Sequence, residues 1–475
     1  MAFYLRSDFR SRERLWPPRA PQRVRREKHD LRWENMQVGV FGTGHVGLVS
    51  AACLASLGHR VVGTDQDESK IANLKQGSPP FYEPDLHDLL MEGIRSERLS
   101  FSTDPAEAIA GATVVLISVG TPPRVTGEAN LVAVERAAGI VARHATGKSL
   151  VVENSTVPTG TAGRLRAKLA REARAGADLE VASNPEFLRE GHAVADFLAP
   201  DRILVGADSD WAFGTMRELY APLVDRGTPL IETDIPTAEL AKHACNAFLA
   251  LKISFVNALA RVCELAGADV VDVTDVMGAD PRIGPGYVRA GLGYGGSCFP
   301  KDLKAFQRLT TQLGYDFPLL EEIARINDEA LGAAFDKVKD LLWNLEDKTV
   351  ALLGLSFRPN TDDARFAPAV GLARLLLDEG AKVVGYDPKA RSTAKAMLPE
   401  ITVVDDPYAA VAGAHCVVLC TEWDEFESLD LDRVRDAMVY PIFVDGRNVF
   451  APERMNSLGF NYHALGRAGG RIVRA

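Results

Sequence analysis

Residues 37–67 read QVGVFGTGHVGLVSAACLASLGHRVVGTDQD, and this stretch decides the class of fold. A short apolar strand leads into the pattern Gly42-x-Gly44-x-x-Gly47, which opens a helix, and a second strand ends at Asp65. Strand, glycine-rich turn, helix and strand in this order are typical of the first βαβ unit of a Rossmann domain. The glycines are expected to provide a tight turn, a close approach of backbone to a pyrophosphate, and close packing of helix on sheet.

The same stretch predicts the cofactor. The amides at the helix N-terminus would bind the pyrophosphate, because they carry partial positive charge and have no partner within the helix. Asp65 would accept hydrogen bonds from ribose hydroxyls and would repel the 2′-phosphate of NADP, so we expect NAD. A structural turn followed by a surface acid is the alternative interpretation.

The following segments predict a doubly wound α/β sheet. Five strand-like runs lie between turn residues or helical stretches, at 114–119, 150–152, 179–182, 203–205 and 230–232. Loops at the C-terminal ends of strands carry ligands in such folds. The loops Gly120-Thr121-Pro122 and Ser155-Thr156-Val157-Pro158 are therefore candidates for the cofactor side, although either could equally be a plain turn.

A long helix and a second α/β half are predicted next. Residues 237–266 have helical spacing without proline or glycine, and about 30 helical residues span some 45 Å. Such a helix would join two domains, and its apolar surface favours oligomerisation. From Lys348 a smaller α/β pattern begins, whose first turn lacks the G-x-G-x-x-G loop. We expect two Rossmann-like doubly wound domains joined by a long central helix and a helical dimerisation region, with limits at 36–233, 234–345 and 346–475.

The composition excludes several classes of function. The chain has 475 residues with 54 Lys+Arg and 64 Asp+Glu, a formal net charge of −10, and is 47% hydrophobic. An acidic protein is a poor candidate for binding nucleic acid through its overall charge, and no apolar run is long enough to predict a membrane span. The six cysteines form no C-x-x-C pair, so we expect no metal site and a reducing, cytoplasmic location.

The first 35 residues differ from the rest. They contain ten Lys/Arg, five acids and three prolines without an apolar period. This composition predicts a disordered basic leader and not a signal or transit peptide. Translation starting at Met36, immediately before the first strand, is an alternative.

A glycine-rich segment around one cysteine carries the candidate chemistry. Residues 282–304 read RIGPGYVRAGLGYGGSCFPKDLK. Glycines let the backbone approach a ligand, and a nearby cation such as Lys301 is expected to lower the pKa of the Cys298 thiol and favour thiolate. Cys298 is thus a candidate nucleophile, although a buried inert cysteine in a structural bend is the alternative. Lys242 and Asn246 are spaced i, i+4 and share a helical face.

Together these segments resemble the nucleotide-sugar 6-dehydrogenases, and most closely the branch that acts on UDP-glucose. The resemblance runs from Met36 to about Asn448 in the order of the family. Besides the cysteine segment, the matching pieces are GTGHVGL (42–48), VGTPP (119–123), STVPTGT (155–161), SNPEFLREG (183–191), PDRILVG (200–206), AELAKHACNAFLALKISF (238–255), GLSFRPNTDDARFAP (354–368) and DGRN (445–448). It implies an NAD-binding first domain, a helical dimerisation centre and a UDP-binding last domain.

The resemblance also implies a reaction. The family oxidises the C6 hydroxyl of a nucleotide-bound hexose to a carboxylate with two NAD+ and one cysteine, which for UDP-glucose gives UDP-glucuronate, a polysaccharide precursor. Cys298 matches the nucleophile that captures the C6 aldehyde as a thiohemiacetal, which a second hydride transfer turns into a thioester. Lys242 and Asn246 match the pair that stabilises the oxyanion, and Asp302 an acid that orders a water or base near the thiol. Glu190 matches the base for thioester hydrolysis and Thr156 a water-positioning hydroxyl.

Further binding residues follow from the same resemblance. Tyr287 would pack on the uracil, and Arg282 would reach the substrate of a neighbouring subunit. The cofactor side is expected to comprise Gly42, Gly44, His45, Val46, Gly47, Asp65, Lys70, Thr121, Thr156 and Glu190. The substrate side is expected to comprise Glu186, Phe187, Leu188, Arg189, Lys242, Asn246, Arg282, Tyr287, Gly295, Phe357, Arg358 and Arg447.

Four positions depart from the family pattern, and other functions stay open. His45 replaces Tyr, Asn154 and Arg358 each replace Lys, and Phe366 replaces Glu. GDP-mannose or a UDP-N-acetylhexosamine would be an alternative substrate for the same chemistry. A catalytically silent nucleotide-sugar-binding subunit is a further alternative. A one-step hydroxyacid dehydrogenase would need no thiol, so Cys298 discriminates against it.

Overall fold

The computed structural model describes residues 35–467, which form two mainly parallel sheets and a helical region between them in sequence. The predicted disordered leader lies, apart from Asn35, outside the described residues. Within residues 35–467, no helix is long and apolar enough to cross a membrane.

The first sheet has eight strands. They are β1 (Gln37–Phe41), β2 (Arg60–Thr64), β3 (Leu99–Ser102), β4 (Val114–Ile117), β5 (Gly147–Glu153), β6 (Ala177–Ser183), β7 (Ile203–Gly206) and β8 (Leu230–Thr233). The helices of this part are α1 (His45–Ser56), α2 (Glu68–Lys75), α3 (Leu86–Arg95), α4 (Pro105–Ile109), α5 (Val132–His144), α6 (Thr161–Glu172), α7 (Ala193–Leu198), α8 (Asp210–Leu219) and α9 (Ala221–Val224).

The strand order of this sheet is β3-β2-β1-β4-β5-β6-β7-β8. The first six strands have the doubly wound order, in which the chain reverses direction across the sheet between β1 and β4. In β4, Val114 and Leu116 pack into one core while Val115 and Ile117 pack into the other. A central strand buried on both faces is what helices on either side of a parallel sheet require. Strand β7 pairs antiparallel with β6 through Ser183 and Gly206, and β8 continues parallel to β7.

The helical region follows directly. It contains α10 (Ile235–Ala266), α11 (Val270–Ala279), α12 (Phe299–Gln312) and α13 (Pro318–Leu342). The prediction of a long helix is confirmed: α10 has 32 residues, is capped by the side chain of Asp234, and ends at Gly267 with a φ of 75°. It contacts α12 and α13, and its first turns contact β7 of the first sheet.

The second sheet has six strands in the order β11-β10-β9-β12-β13-β14, which repeats the doubly wound order of the first. They are β9 (Thr349–Leu353), β10 (Lys382–Tyr386), β11 (Thr402–Val403), β12 (Cys416–Leu419), β13 (Ile442–Asp445) and β14 (Asn461–Ala464). The helices are α14 (Pro368–Asp378), α15 (Arg391–Met397), α16 (Pro407–Val411), α17 (Asp424–Glu427), α18 (Leu431–Ala437) and α19 (Pro452–Ser457). The predicted fold class, two Rossmann-like domains joined by a long helix, is confirmed.

The strand predictions were incomplete at the sheet edges. Strands β3 (LSFS), β11 (TV) and β14 (NYHA) were not predicted, because each has only two to four residues and includes polar ones, which leaves little apolar signal. The predicted strand at 114–119 was too long, since β4 ends at Ile117 and the chain leaves the sheet at Ser118. A Cβ on Gly42, whose φ is +91°, would lie 2.6 Å from the Ser118 carbonyl oxygen. The turn after β1 therefore needs glycine at this position.

Candidate active site

The glycine-rich loop has the geometry that a dinucleotide needs. Gly44 is the N-cap of α1 and no side chain caps the helix there. A Cβ on Gly44 would meet no described atom within 4 Å, so the space over the helix N-terminus is open. A Cβ on Gly47 would lie 2.0 Å from the Gly42 carbonyl oxygen, so α1 packs against the turn as closely as the motif predicts. Val46 lies in the first turn of the helix. This open cradle fits a pyrophosphate.

Asp65 directly follows β2, beside this loop. Its Oδ2 accepts hydrogen bonds from the Thr43 amide and hydroxyl, each at 3.0 Å, and from Lys70 Nζ at 2.9 Å. Burial alone would raise the pKa of Asp65, but the hydrogen bonds from Lys70 and Thr43 outweigh it and lower the pKa. The carboxylate is therefore ionised and held at the ribose position of a Rossmann site. Lys70, predicted on the cofactor side, is placed there by this ion pair.

The two predicted cofactor-side loops lie together. The Thr121 hydroxyl donates to the Thr156 carbonyl oxygen at 2.9 Å, which joins the loop after β4 to the loop after β5. The ring of His243, on α10, contacts the Val157 carbonyl oxygen through Nε2 at 2.9 Å. Both loops are thus fixed to each other and to the long helix. Their role on the cofactor side stays a prediction.

The candidate catalytic side chains converge from α10 and α12. Cys298 is the N-cap of α12, and Asp302 lies in the first turn of that helix. Asn246 Nδ2 donates to Asp302 Oδ2 at 2.6 Å. Lys242, one turn earlier on α10, donates from Nζ to Glu186 Oε1 at 3.2 Å, and both side chains are almost fully buried. Burial would lower the pKa of Lys242, but the charges of Glu186 and Asp302 outweigh it, so the pKa is raised and the ammonium stays charged.

The expectation of a low thiol pKa is wrong. Burial, followed by the charge of Glu186, raises the pKa of Cys298 to about 11, although Lys242 lowers it. Lys301, the nearest cation in sequence, pairs with a carboxylate: its Nζ lies 2.5 Å from Asp302 Oδ1. A short sequence distance could not reveal that this lysine is already paired. The resting thiol is therefore protonated, and a base must remove its proton when it reacts.

Glu190 is a base of suitable strength near this thiol. Burial raises its pKa to about 7, while His45 lowers it and Asp363 raises it. Its Oε1 accepts a hydrogen bond from the Ser297 hydroxyl at 3.3 Å, and Arg365 lies 3.8 Å away. Its Oε2 is buried without a hydrogen-bond partner among the described residues. An oxygen held in this way can accept a proton from a ligand or a water.

His45 joins the glycine-rich loop to the loop that carries Glu190. Its ring stacks on Phe81 at 4.4 Å, and its Nε2 lies 3.0 Å from Glu83 Oε2. The buried Glu83 carboxylate also accepts hydrogen bonds from the amides of Gly191 at 2.7 Å and Ala193 at 2.6 Å. The histidine that replaces Tyr at position 45 therefore has a buried carboxyl group as its partner.

A cavity of about 1080 Å³ connects these groups to the second sheet. Its lining includes Cys298, Lys242 and Asn246 from the helical region and Arg358 and Arg447 from the C-terminal part. The other predicted substrate residues that line it are Glu186, Phe187, Leu188, Arg189, Tyr287, Gly295 and Phe357, together with Glu190. Arginines around a concave surface match the charge of a diphosphate.

Individual lining residues are held in defined positions. Arg189 pairs with Asp196 through Nε and an Nη atom, at 2.9 and 2.6 Å. Arg447 Nε donates to the Cys420 carbonyl oxygen at 2.7 Å. Burial lowers the pKa of Arg358, which lies half-buried in the wall. The Tyr287 ring packs against Phe299 with 6.1 Å between centroids.

One predicted substrate residue lies elsewhere. The Arg282 side chain is 85% exposed, pairs with Asp280, and does not line the cavity of its own chain. This position neither supports nor opposes its predicted contact with a neighbouring subunit. The role of Arg282 stays a prediction.

Several residues of the site were not predicted. Glu83 is a lone acid in a turn and gave no signal. Arg202 lies with its guanidinium 3.7 Å from the centroid of the Phe187 ring, although only its sequence segment was recognised. Ser297 and Arg365 lie inside segments that match the family, close in sequence to Cys298 and Arg358. This closeness is the only sequence signal for their contacts with Glu190. Only the fold shows that these contacts exist.

The second sheet has an acid, Asp387, at the position that corresponds to Asp65 in the first sheet. The hydrogen-bonding sites of this acid are filled by groups of the protein itself. Asp387 follows β10 and is completely buried. Its two oxygens accept hydrogen bonds from the amides of Leu355, Ser356, Lys389 and Ala390, the Ser356 hydroxyl and the Trp423 indole. A ribose could not bind a carboxylate that is surrounded in this way. This half therefore fits a dinucleotide poorly.

Three models of one family match successive parts of the chain. Residues 36–224 match the NAD binding domain of the UDP-glucose/GDP-mannose dehydrogenase family, residues 236–329 its central domain, and residues 351–452 its UDP binding domain. Together they cover most of the chain. The resemblance inferred from the sequence motifs is confirmed.

Individual relatives agree with these models. A UDP-glucose 6-dehydrogenase of Rhizobium meliloti is 44% identical over 438 residues, covering 91% of this chain and 100% of the relative. A UDP-glucose 6-dehydrogenase of Bacillus subtilis is 41% identical over 433 residues, covering 91% and 93%. The structure of a UDP-glucose dehydrogenase from Pyrobaculum islandicum matches with a TM-score of 0.86 and 39% identity, covering 93% of this chain and 100% of that one. The chain therefore belongs to the UDP-glucose/GDP-mannose dehydrogenase family, and its cofactor is NAD.

Proposed function

We propose that this chain oxidises the C6 hydroxyl of UDP-glucose to a carboxylate, giving UDP-glucuronate, with two NAD+ for each sugar. One observation carries the proposal: Cys298, Lys242 and Asn246 face the same cavity, beside a cradle that fits NAD. The name of the relatives supports the choice of sugar nucleotide. NAD, when bound, accepts the hydride of each of the two oxidations.

The buried ammonium of Lys242 stabilises negative charge on the C6 oxygen. Because its pKa is raised, it acts as a fixed cation and hydrogen-bond donor and not as a base. Asn246 supplies a second donor, and its amide is oriented by Asp302 at 2.6 Å. Asp302 thus acts through Asn246, which is a positioning role. The same pair serves the alkoxide, the thiohemiacetal and the tetrahedral intermediate of hydrolysis.

Cys298 makes the second oxidation possible. A hydride does not leave readily from a bare aldehyde, but it leaves from the tetrahedral carbon that forms when sulfur adds to C6. The product of that step is a thioester on Cys298, and Glu190 removes a proton from the water that hydrolyses it. We assign Thr156 to positioning this water, since its loop is fixed to Thr121 and α10. A one-step hydroxyacid dehydrogenase would need neither the thiol nor the base.

The substrate side is built for a nucleoside diphosphate. We assign the diphosphate to Arg358 and Arg447, the uracil to the Tyr287 ring, and the sugar to the loop of Phe187, Leu188 and Arg189. GDP-mannose and UDP-N-acetylhexosamines are the alternative substrates for the same chemistry. A panel of nucleotide sugars, assayed for NADH formation, decides between them.

The domain limits and the cellular location complete the proposal. We place an NAD-binding domain at 36–233, a central helical domain with the catalytic cysteine at 234–345, and a UDP-binding domain at 346–475. The first two limits fall next to the ends of β8 and α13. We place the enzyme in the cytoplasm, because all six cysteines lie in the described part of the chain and are free thiols there.

A homodimer through α10 is also proposed. Phe248, Phe255 and Val262 are spaced seven residues apart on this helix and are 62%, 54% and 57% exposed, and Leu265 at its end is 91% exposed. A repeat of seven places them along one stripe of the helix. An apolar stripe of this length is typical of a contact between subunits. Such a dimer would also bring the exposed Arg282 of one subunit towards another.

The first prediction concerns stoichiometry. The unmodified enzyme should form two NADH for each UDP-glucose. Cys298→Ala should lower the rate of UDP-glucuronate formation by about 10³-fold or more, because it removes the group that carries the second oxidation. Cys263→Ala, at a buried cysteine on the far part of α10, is the control. One NADH per sugar, or normal turnover by Cys298→Ala, would contradict the mechanism.

The second prediction concerns the cofactor. Asp65→Ser should lower kcat/KM for NAD by roughly 10- to 100-fold, because hydrogen bonds to a charged group are lost. It should raise kcat/KM for NADP, because Lys70 is released to pair with the 2′-phosphate. Adding Lys70→Ala to this variant should remove the gain with NADP. If NADP serves the unmodified enzyme as well as NAD does, Asp65 does not have this role.

The third prediction concerns thioester hydrolysis. Its rate should rise with pH up to about 7 and then level, because Glu190 is an active base only when ionised. Glu190→Gln should slow this step by about 10²- to 10⁴-fold and accumulate a sugar-nucleotide adduct on Cys298, visible in the mass of the intact protein. Glu218→Gln, at an exposed position of α8, should accumulate no adduct. A Glu190→Gln enzyme that forms product at the normal rate without an adduct would exclude Glu190 as the base.

The fourth prediction concerns the oligomer. Light scattering should give the unmodified chain at least twice its mass of 51.4 kDa. Phe255→Glu combined with Val262→Glu should give single chains, because charge is placed in an apolar contact. Trp343→Glu, at a 93% exposed residue after α13, should not change the mass. A single-chain mass for the unmodified protein would contradict the dimer.

A further inference from the structure

The thiol that has to react is connected to a carboxylate by one hydroxyl group. Ser297 Oγ lies 3.8 Å from Cys298 Sγ, within hydrogen-bonding range for sulfur. The same oxygen lies 3.3 Å from Glu190 Oε1, to which it donates. All three side chains line the cavity that faces the substrate. Sulfur, hydroxyl and carboxylate therefore form an unbroken chain of hydrogen-bonding groups.

We propose that Ser297 relays the thiol proton of Cys298 to Glu190 when the sulfur adds to the C6 aldehyde. This inference rests on the proposed function and adds a catalytic residue to it, because Ser297 contacts the reacting sulfur. Glu190 then has two tasks at different times: it accepts the thiol proton during capture and removes a proton from water during hydrolysis.

The step balances without a further reactant. The sulfur–carbon bond forms at C6 while the S–H bond breaks, and the π electron pair of the aldehyde moves to its oxygen. The thiol proton passes to Ser297 Oγ while the proton of that hydroxyl passes to Glu190 Oε1. Lys242 and Asn246 hold the resulting oxyanion. Nothing is oxidised or reduced, and Glu190 returns its proton to water in the cavity before hydrolysis.

The surrounding charges explain why a relay is needed. Because burial and Glu186 raise the pKa of Cys298 to about 11, only about one thiol in ten thousand ionises unaided at pH 7. Glu190, with a pKa of about 7, is ionised in a large fraction of molecules at that pH. The charged groups that face the three side chains come from five segments, and they are His45, Glu186, Lys242, Asp302, Asp363 and Arg365.

Two variants of equal shape test the hydroxyl. Ser297→Thr keeps it and Ser297→Val replaces it with a methyl group, so any displacement of Cys298 by the added bulk is common to both. UDP-glucose and NAD+ are supplied with a hydroxylamine, which traps the aldehyde that escapes before capture. Because hydroxylamine also cleaves a thioester to a hydroxamate, the measured quantity is the ratio of captured sugar, UDP-glucuronate plus hydroxamate, to the oxime of the escaped aldehyde. This ratio does not depend on how much of each variant is folded.

The relay predicts a clear difference within this pair. At pH 7.5 the ratio for Ser297→Thr should stay within about threefold of the unmodified enzyme, whereas the ratio for Ser297→Val should fall by about 10²-fold, the usual contribution of a general base. For Ser297→Val the ratio should rise about tenfold per pH unit, because only ionised thiol then reacts. For Ser297→Thr it should level above the pKa of Glu190. A merely structural serine would not give these two pH profiles.

Other outcomes separate the relay from the proposed function. Equal ratios for Ser297→Thr and Ser297→Val at every pH overturn the relay while leaving Cys298 as the nucleophile. Glucuronate formation by Cys298→Ala overturns the proposed function itself. If neither Ser297 variant is active, the unmodified enzyme is measured in mixtures of H₂O and D₂O. Transfer of two protons in one step predicts that the ratio falls non-linearly as the fraction of D₂O increases. A ratio that D₂O does not change overturns the relay.

Discussion

The buried ion pair between Lys242 and Glu186 is the interaction on which the site depends. Two charges with side chains only 5% and 10% exposed are costly to bury, and they persist because they lie 3.2 Å apart and Glu186 also accepts from the Leu188 amide. The pair fixes a cation in the wall of the cavity, where its field acts on a developing oxyanion. It also joins α10 to the loop after β6, so that one contact couples the helix to the first sheet.

One face of α10 contacts the cofactor loop, the substrate loop and the helix of the nucleophile. Lys242, His243 and Asn246 lie three, four and seven residues after Glu239, which places all four on one side of the helix. Glu239 accepts from the amides of Gly160 and Ala162, while His243 contacts the loop of Thr156 and Asn246 contacts the helix of Cys298. Cofactor loop, substrate loop and nucleophile are therefore held by successive turns of one rigid element. This explains why a helix of 32 residues lies at the centre of the chain.

The sequence predicted the parts of the fold in which local pattern and tertiary role agree. The turn of Gly42, the central strands and α10 carry strong periodicity or steric requirements of their own. The edge strands β3, β11 and β14 did not, and the shift of the thiol pKa was predicted with the wrong sign because Lys301 was counted as a neighbour of Cys298. In the folded chain Lys301 pairs with Asp302, while Glu186, more than a hundred residues away in sequence, faces the sulfur. Long-range contacts of this kind, like those of Glu83 with Gly191 and His45, have no signature in the local sequence.

Burial raises the pKa of both Cys298 and Glu190, but the consequences differ. It makes Cys298 a neutral thiol at rest, so the first oxidation takes place beside a sulfur that adds no negative charge near the alkoxide. It makes Glu190 a carboxylate that can hold or release a proton near neutral pH, which a base with two successive tasks requires. A thiolate in the resting enzyme would oppose the oxyanion that Lys242 stabilises, and a carboxylic acid with an ordinary pKa would be too weak a base to take a proton from sulfur. The raised pKa of the thiol is thus consistent with nucleophilic catalysis, provided that its proton has a path to the carboxylate at the moment of capture.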